Sequence, residues 1–132
     1  MIPKYKPIPP DLNRLSGKIV SAAYRVHNEL GPGLLENVYE ACLSEELTDL
    51  GIKFERQVSV PVRYKKVTLE TGFRIDLFVE KQLIVELKAV EALLPVHKAQ
   101  LITYLKLSGC RIGLLINFNV DVLKIGIKRV VL

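Results

Sequence analysis

Two consecutive segments between Phe54 and Val79, and residues 85–89 after them, largely alternate apolar and polar residues with a period of two, which is the period of a β-strand. Segments with the 3.6-residue period of an amphipathic helix lie on both sides of them. The predicted elements are helices from Asp11 or Ser16 to about Leu30, from about Leu34 to Leu50 and from about Pro95 to just before Gly109, and strands at 54–65, 67–79, 83–90, 111–117 and 122–131. This α-α-β-β-β-α-β-β order predicts one α/β domain with a mixed central sheet flanked by helices.

Proline and long apolar runs mark the ends and edges of this domain. Four prolines within residues 1–10 argue against a helix there, so we expect an irregular N-terminal arm at 1–10 and the folded domain at 11–132. Pro61 predicts an edge strand or a bulge, whereas the apolar run 111–117 predicts a strand buried on both faces. The second helix is expected to bury an apolar stripe formed by Leu35, Val38, Cys42, Leu43, Leu47 and Leu50.

Composition separates broad classes of protein. The chain has 132 residues, 49% of them hydrophobic, which suits one domain with a substantial core. A net charge of +5 permits nucleic acid as a partner without requiring it. Cys42 and Cys110 form no C-x-x-C pair, so we expect reduced, buried thiols, no zinc site and a cytoplasmic location. We expect no signal peptide and no membrane partner, because no apolar run reaches membrane-spanning length.

Two acidic residues and a lysine interrupt two of the predicted apolar strands. Glu86 and Lys88 are two residues apart and therefore project from the same face of their strand. Asp76 lies on the preceding strand, and directly paired residues of an antiparallel hairpin share a face. Asp76 can stand beside Glu86 only if an odd number of residues forms the turn, for instance 80–82. A two-residue turn at 81–82 would pair Asp76 with Leu87 instead, and no Gly or Asn marks which register forms.

Charged residues in a central strand need a partner, a metal or a cleft, because burying an unpaired charge is costly. Carboxylates that share a strand face can hold a divalent cation beside an amine, which is the chemistry of a metal-dependent phosphodiesterase. Mg²⁺, or Mn²⁺ in its place, prefers oxygen ligands, and Asp76, Glu86 and the Leu87 carbonyl can supply them. A Glu–Lys ladder on a solvated sheet face would leave the same pattern.

A second pattern lies between the first two helices, where Gly33, Glu36 and Tyr39 follow one another at three-residue spacing. The other matching stretches are Val26 to Gly33, Asp76, Glu86-Leu87-Lys88, Gln100 to Leu105 and Gly113 to Phe118. On these residues the chain resembles the GxxExxY proteins of the PD-(D/E)XK nuclease superfamily over nearly its whole length. The resemblance implies a restriction-endonuclease-like αβββαβ core with an added strand.

The resemblance also implies roles for single residues. Asp76 and Glu86 would bind the metal, and Lys88 would be the catalytic lysine. Glu36 is similar to the extra acidic residue that some superfamily members place beside the metal. Gln100 and Tyr104 are similar to a Gln–Tyr pair that lies near the active site and the nucleic acid. Taken without the family, that pair is more simply a packing feature of an amphipathic helix.

The leading prediction is a Mg²⁺-dependent nuclease that hydrolyses phosphodiester bonds, with DNA preferred over RNA on superfamily precedent alone. One alternative is a nucleic-acid-binding module without catalysis, and another is an interaction protein that keeps the fold. A homodimer is compatible with the sequence. Basic residues either flank a phosphate path or form ordinary solvated strand faces; they are Lys53, Arg56, Arg63, Lys65 and Lys66 near the first hairpin and Lys124, Lys128 and Arg129 near the last strand.

Overall fold

The computed structural model of the protein describes residues 6–132, so the first five residues of the expected N-terminal arm lie outside the described residues. The elements are α1 (Pro10–Leu30), α2 (Glu36–Asp49), β1 (Phe54–Tyr64), β2 (Val67–Val79), β3 (Leu83–Lys88), α3 (Pro95–Ser108), β4 (Ile112–Asn117), a short 3-10 helix (Leu123–Gly126) and β5 (Ile127–Val131). No helix in this described range has the length and apolar character needed to cross a bilayer.

The five strands form one sheet in the order β1-β2-β3-β4-β5. β3 and β4 run parallel and are joined through α3, while the other neighbouring pairs are antiparallel. This arrangement confirms the predicted mixed α/β fold and places β3, the strand that carries Glu86 and Lys88, at the centre of the sheet.

Two apolar cores lie on the two faces of the sheet. Val85 and Leu87 of β3 pack in the core formed with α1 and α2, whereas Ile84 packs in the core formed with α3. All six residues of β4 are buried, as expected of a strand covered on both faces. Because α3 covers the face from which even-numbered residues of β3 project, Glu86 and Lys88 point to the α3 side.

Several element boundaries differ from the sequence predictions. α1 begins at Pro10, inside the expected irregular arm, and neither Asp11 nor Ser16 caps it. Proline is tolerated in the first turn because the N–H it lacks would have no helical partner there. The predicted last strand begins with the 3-10 helix, so only its second half, Ile127–Val131, pairs with β4.

The buried face of α2 also differs from the predicted apolar stripe. Leu35 is 71% exposed, and Val38 and Leu50 are exposed as well. The residues that α2 buries are Tyr39, Glu40, Leu43, Ser44 and Leu47. Two of these are polar, and the structure supplies their partners: the Ser44 hydroxyl donates to the Glu40 carbonyl at 2.7 Å, and the Glu40 carboxylate accepts side-chain hydrogen bonds from β1. Satisfied polar groups can be buried, which a purely apolar pattern cannot foresee.

The β1–β2 hairpin is longer than the sheet that supports it. β2 pairs with β3 only through residues 77–79, while its pairing with β1 continues out to Tyr64 and Val67. β1 is an edge strand, and its register with β2 shifts between Val60 and Val62, so Pro61 marks both an edge and a bulge. The outer half of the hairpin therefore extends beyond the third strand.

Candidate active site

The turn between β2 and β3 sets which residues face each other. Val79 pairs with Leu83 and Leu77 with Val85, so residues 80–82 form a three-residue turn and the same register places Asp76 opposite Glu86. This is the odd-length alternative. Glu80 and Lys81 both have positive φ, at 52° and 55°, without being Gly or Asn. The turn therefore lacks the usual Gly or Asn signal, so the sequence alone does not determine the register of the β2–β3 pair.

The side chains of Asp76 and Glu86 reach across the strand pair. The Leu87 N–H donates to Asp76 Oδ2 at 2.8 Å, and the Asp76 N–H lies 3.4 Å from Glu86 Oε1, which accepts from it. Each carboxylate therefore contacts the backbone of the opposite strand, where the regular backbone ladder ends. These contacts fix the two acids next to each other.

The alternation of faces breaks where Asp76 lies, whereas an uninterrupted period of two predicts that Ile75 and Leu77 share one apolar face. Ile75 packs in the α3 core, but Leu77 packs in the core under α1 and α2. On β1, Phe54 likewise packs against the core under α1 and α2, whereas Val58 packs against the α3 core. Between them Gln57 has a positive φ of 52°, and such a residue turns the strand locally. Asp76 consequently lies where the two faces of the sheet meet.

Glu86 is the most strongly perturbed group in this region. Its side chain is almost fully buried, with 4% of the residue exposed. The pKa of Glu86 is raised from 4.5 to about 9, chiefly by burial and then by the charge of Asp76 and the side-chain hydrogen bond with it, while the Asp76 backbone hydrogen bond and the charge of Lys88 oppose the rise. Two acids are thus crowded together in a place where water cannot stabilise both charges.

Glu36 and Lys88 share this electrostatic environment. Partial desolvation, then the charges of Asp76 and Glu40, raise the pKa of Glu36, whereas Lys88 lowers it. Glu36 lies in the first turn of α2 and still reaches solvent. Within residues 6–132, no three His, Cys, Asp or Glu side chains stand close enough to hold one ion together. The structure therefore brings Asp76 and Glu86 into contact, with Lys88 and Glu36 around them at longer range.

Three polar residues, Glu40, Gln57 and Arg56, support Asp76, and sequence reasoning had named only Arg56, as a candidate phosphate contact. Gln57 Nε2 donates to Glu40 Oε1 at 2.6 Å and to Asp76 Oδ1 at 3.2 Å. The Arg56 guanidinium donates to Glu40 Oε2 at 3.0–3.1 Å. Glu40 follows Glu36 by one helical turn, which was a usable signal. Strand alternation placed Arg56 and Gln57 on opposite faces, and the break at Gln57 lets both reach Glu40.

The Tyr of the Gly33/Glu36/Tyr39 pattern holds the loop from which α2 starts. Tyr39 is fully buried and stacks on Phe118, with ring centroids 4.5 Å apart. Its hydroxyl donates to the Gly31 carbonyl at 2.6 Å and accepts from the Leu34 N–H at 3.1 Å. The Gly33 N–H is bound by Asn119 Oδ1 at 3.1 Å. Tyr39 thus fixes the backbone that leads into Glu36.

The end of β3 is fixed by the end of β4. The Phe118 N–H donates to the Lys88 carbonyl at 2.9 Å. Asn117, which is buried, accepts from the Val90 N–H at 3.1 Å and donates to the Val90 carbonyl at 2.9 Å. These hydrogen bonds hold the backbone at residues 88 and 90, and they therefore fix the backbone position of Lys88.

Tyr104 of α3 borders the acid pair, and Gln100 lies one helical turn before it. Tyr104 is buried, and burial followed by the charges of Glu86 and Asp76 raises the pKa of Tyr104 to about 12. Its ring also packs against Phe73, with centroids 5.3 Å apart. Gln100 is half-buried. Tyr104 is therefore a neutral hydroxyl near two carboxyl groups as well as a packing residue.

Both histidines bind backbone. His27 Nε2 donates to the Val120 carbonyl at 2.7 Å, and His97 Nδ1 accepts from the Leu94 N–H at 3.0 Å at the start of α3. Each ring has a structural partner, so the candidate proton-handling groups in this region are Glu86, Lys88 and Tyr104.

A family model matches most of the chain. The family model of the PD-(D/E)XK nuclease superfamily matches residues 13–130, from the first turn of α1 to the penultimate residue of β5. It agrees with the restriction-endonuclease-like fold expected from the sequence. No curated protein and no solved structure has a significant match to the chain.

Proposed function

The chain belongs to the PD-(D/E)XK nuclease superfamily, and from this premise we propose that it hydrolyses phosphodiester bonds of nucleic acid with a divalent metal ion. The observation that carries the proposal is the contact between Asp76 and the buried Glu86, two residues before Lys88 on the central strand. A buried acid beside a second acid is costly unless a cation or a proton compensates for it.

The donor set suits a hard divalent cation. Asp76 and Glu86 offer carboxylate oxygens, and the Leu87 carbonyl is the oxygen expected between Glu86 and Lys88. Mg²⁺ prefers oxygen ligands and keeps several waters, so a pair of carboxylates is a sufficient protein contribution. Members of this superfamily generally depend on divalent metals, and Mg²⁺, with Mn²⁺ as substitute, is the ion we propose. When bound, the ion would lower the pKa of a water and neutralise charge on the phosphate.

The protein's own residues have distinct roles in this proposal. Glu86 holds a proton when no cation is present, because burial and Asp76 raise its pKa to about 9. Lys88 forms no salt bridge within the described residues 6–132, so its amine is free to contact phosphate or to orient a water. Glu36, in the first turn of α2, adds negative charge near Asp76. Gln100 and Tyr104 line the α3 side, where the nucleic acid would pass.

Glu40 and Gln57 are positioning residues for Asp76. Gln57 donates to both Glu40 and Asp76, so it fixes the rotation of the Asp76 carboxylate while the Leu87 N–H fixes its other oxygen. Partners of metal ligands of this kind commonly change metal affinity by about 10- to 100-fold when they are removed. We infer that the Glu40–Gln57 pair orients Asp76 toward the cation.

We also propose a family branch, a substrate and a cellular location for the protein. The Gly33/Glu36/Tyr39 pattern supports membership of the GxxExxY branch, and superfamily precedent favours DNA as the substrate. The two free cysteines fit a reducing cytoplasm.

The direct test is incubation of the protein with single- and double-stranded DNA and RNA, in Mg²⁺, in Mn²⁺ and in chelator. We expect cleavage of at least one of these nucleic acids that stops in chelator and returns when metal is restored. Binding without cleavage in either metal would contradict the nuclease proposal and favour a binding module.

A further inference from the structure

The outer half of the β1–β2 hairpin, here called the hairpin extension and defined as residues 61–70, has no role in the contacts described so far. It extends past the part of the sheet that supports the acid pair, since the backbone pairing of β2 with β3 ends at residue 77. Val67 lies nine positions before Asp76, so the tip lies about 25–30 Å along the strands from the acid pair. The extension is thus attached to the candidate active site through the same strand that carries Asp76.

One face of the extension is apolar and open. Cross-strand pairs join Val62 to Leu69 and Tyr64 to Val67, so these four residues share a face. Tyr64 is 65%, Val67 54% and Leu69 48% exposed. Val62 lies two residues after Val60, which packs in the α3 core, but the register of β1 with β2 shifts between these two residues, so the cross-strand pairs alone define this apolar face.

The rest of the extension is basic. Residues 61–70 contain Arg63, Lys65 and Lys66 against a single acid, Glu70. All three basic side chains are exposed, and none forms a salt bridge in the part of the chain that the structure describes. Lys65 lies over the Tyr64 ring at 5.6 Å. The tip therefore presents uncompensated positive charge next to an exposed aromatic ring.

We propose that the hairpin extension binds the phosphate backbone of the nucleic acid at a distance from the cleaved bond, through Arg63, Lys65 and Lys66. This inference rests on the proposed function. Cation-rich surfaces next to exposed aromatics bind nucleic acid by releasing counterions and offering a flat face to sugars or bases. A second copy of the chain suits the extension less well, because pairing two tips would bring two sets of uncompensated cations together.

The distance between the tip and the acid pair favours one class of substrate. A nucleic acid that contacts both the tip and the acid pair must span about 25–30 Å, which is about eight base pairs at roughly 3.4 Å each. The favoured substrate is therefore an extended polynucleotide and not a dinucleotide.

The test measures binding in chelator, so that it does not depend on catalysis. The probe is a fluorescein-labelled DNA duplex of about 20 base pairs, titrated at salt concentrations from about 50 to 200 mM. The variant is Arg63→Gln/Lys65→Asn/Lys66→Gln, with Asn chosen at position 65 because φ there is 53°. The matched control, Lys6→Gln/Lys18→Gln/Lys106→Gln, removes the same charge from exposed positions outside the hairpin.

We expect the extension variant to bind about tenfold or more weakly, and the slope of log affinity against log salt to shrink by about two to three. The control should stay close to the parent protein. Lys66→Gln alone, at an exposed turn position, should remove about one unit of slope and guards against misfolding of the triple variant.

Equal affinity and slope for the parent and the extension variant would overturn the proposal, as would an equal loss in the control. Concentration-dependent dimerisation that the extension variant abolishes, with DNA binding unchanged, would assign this surface to a second copy. Tighter binding of the parent to phosphatidylserine vesicles than to DNA would assign it to a membrane. If the extension variant loses binding but the parent never cleaves, the nuclease proposal fails while this one stands.

Discussion

The base and the tip of the β1–β2 hairpin are built from the same two strands, yet their polar side chains are held in opposite ways. At the base, Gln57 and Asp76 are tied by hydrogen bonds to Glu40 and Leu87. At the tip, Arg63, Lys65 and Lys66 are exposed and have no salt bridge among the described residues. Catalysis needs groups fixed before the reaction, whereas binding of a backbone needs available charge. The two regions should therefore fail in different assays.

The largest expected effect is at the base. Asp76→Asn should lower cleavage by on the order of a thousandfold or more, because it removes a ligand and a charge that the bound cation needs. Binding of duplex DNA in chelator should be unchanged or slightly stronger, since a negative charge is lost. Single-turnover cleavage and fluorescence anisotropy measure the two. Asp121→Asn, at an exposed position outside the regular elements, is the control. Equal cleavage by Asp76→Asn and the parent would remove Asp76 from the active site.

Lys88→Ala should affect rate more than binding. We expect turnover to fall on the order of a hundredfold, while affinity for duplex DNA changes only about a few-fold, since one phosphate contact contributes little to the total. The control is Lys106→Ala on the exposed side of α3. An equal loss of rate and affinity would make Lys88 a phosphate anchor like the cations of the hairpin extension.

Glu40→Gln should weaken Mn²⁺ binding by about tenfold with a smaller effect on melting temperature. The reason is that Gln57 loses its charged acceptor and no longer fixes Asp76 Oδ1. Glu46→Gln is the matched control, because Glu46 lies on the same helix as Glu40 and forms a salt bridge with Arg25 of α1. A fall in melting temperature with unchanged Mn²⁺ affinity would mean that Glu40 serves folding alone.

The pKa of Glu86 predicts how stability depends on pH in metal-free buffer. Because its pKa is raised from 4.5 to about 9, the native state binds this proton more tightly than the unfolded state does. The proton on Glu86 therefore adds to the free energy of unfolding, and this contribution is fully present below about pH 4.5. It is lost as pH rises toward 9, by at most about 1.4 kcal/mol per pH unit. Urea titrations at several pH values should show the decline in the parent and in Glu70→Gln at the tip. A parent curve that does not decline would contradict the assignment.

The smallest effects are expected on the α3 side. Tyr104→Phe keeps the ring contact with Phe73 and removes only the hydroxyl near the acids, so activity should fall about 2- to 10-fold with little change in melting temperature. Gln100→Ala should have the same small effect on activity and on melting temperature. Full activity in both variants would leave Gln100 and Tyr104 as packing residues.

The sequence predicted the features that depend on regular periodicity and missed those that depend on local breaks in it. The order of elements, the edge position of Pro61 and the buried strand β4 followed from apolar patterns. The face change at Gln57 could not be predicted, because a Gln with positive φ has no sequence signal. That one break decides which side chains reach Asp76.

The buried face of α2 also could not be predicted from apolar periodicity alone. Apolar periodicity favoured Leu35 and Val38, but the helix buries Glu40 and Ser44 because each finds a hydrogen-bond partner. Those partners come from residues far away in the sequence or from the backbone, and a single sequence does not show them. The acid pair itself depended on a turn whose two positive-φ residues, Glu80 and Lys81, are not the usual ones.

The measurement that tests the central claim most directly is titration of Mn²⁺ into the parent, Asp76→Asn and Glu86→Gln, followed by electron paramagnetic resonance in the absence of nucleic acid. If Asp76 and Glu86 hold one cation, the parent binds one ion per chain and both variants lose at least about tenfold in affinity. Equal Mn²⁺ binding by the parent and both variants would contradict the account.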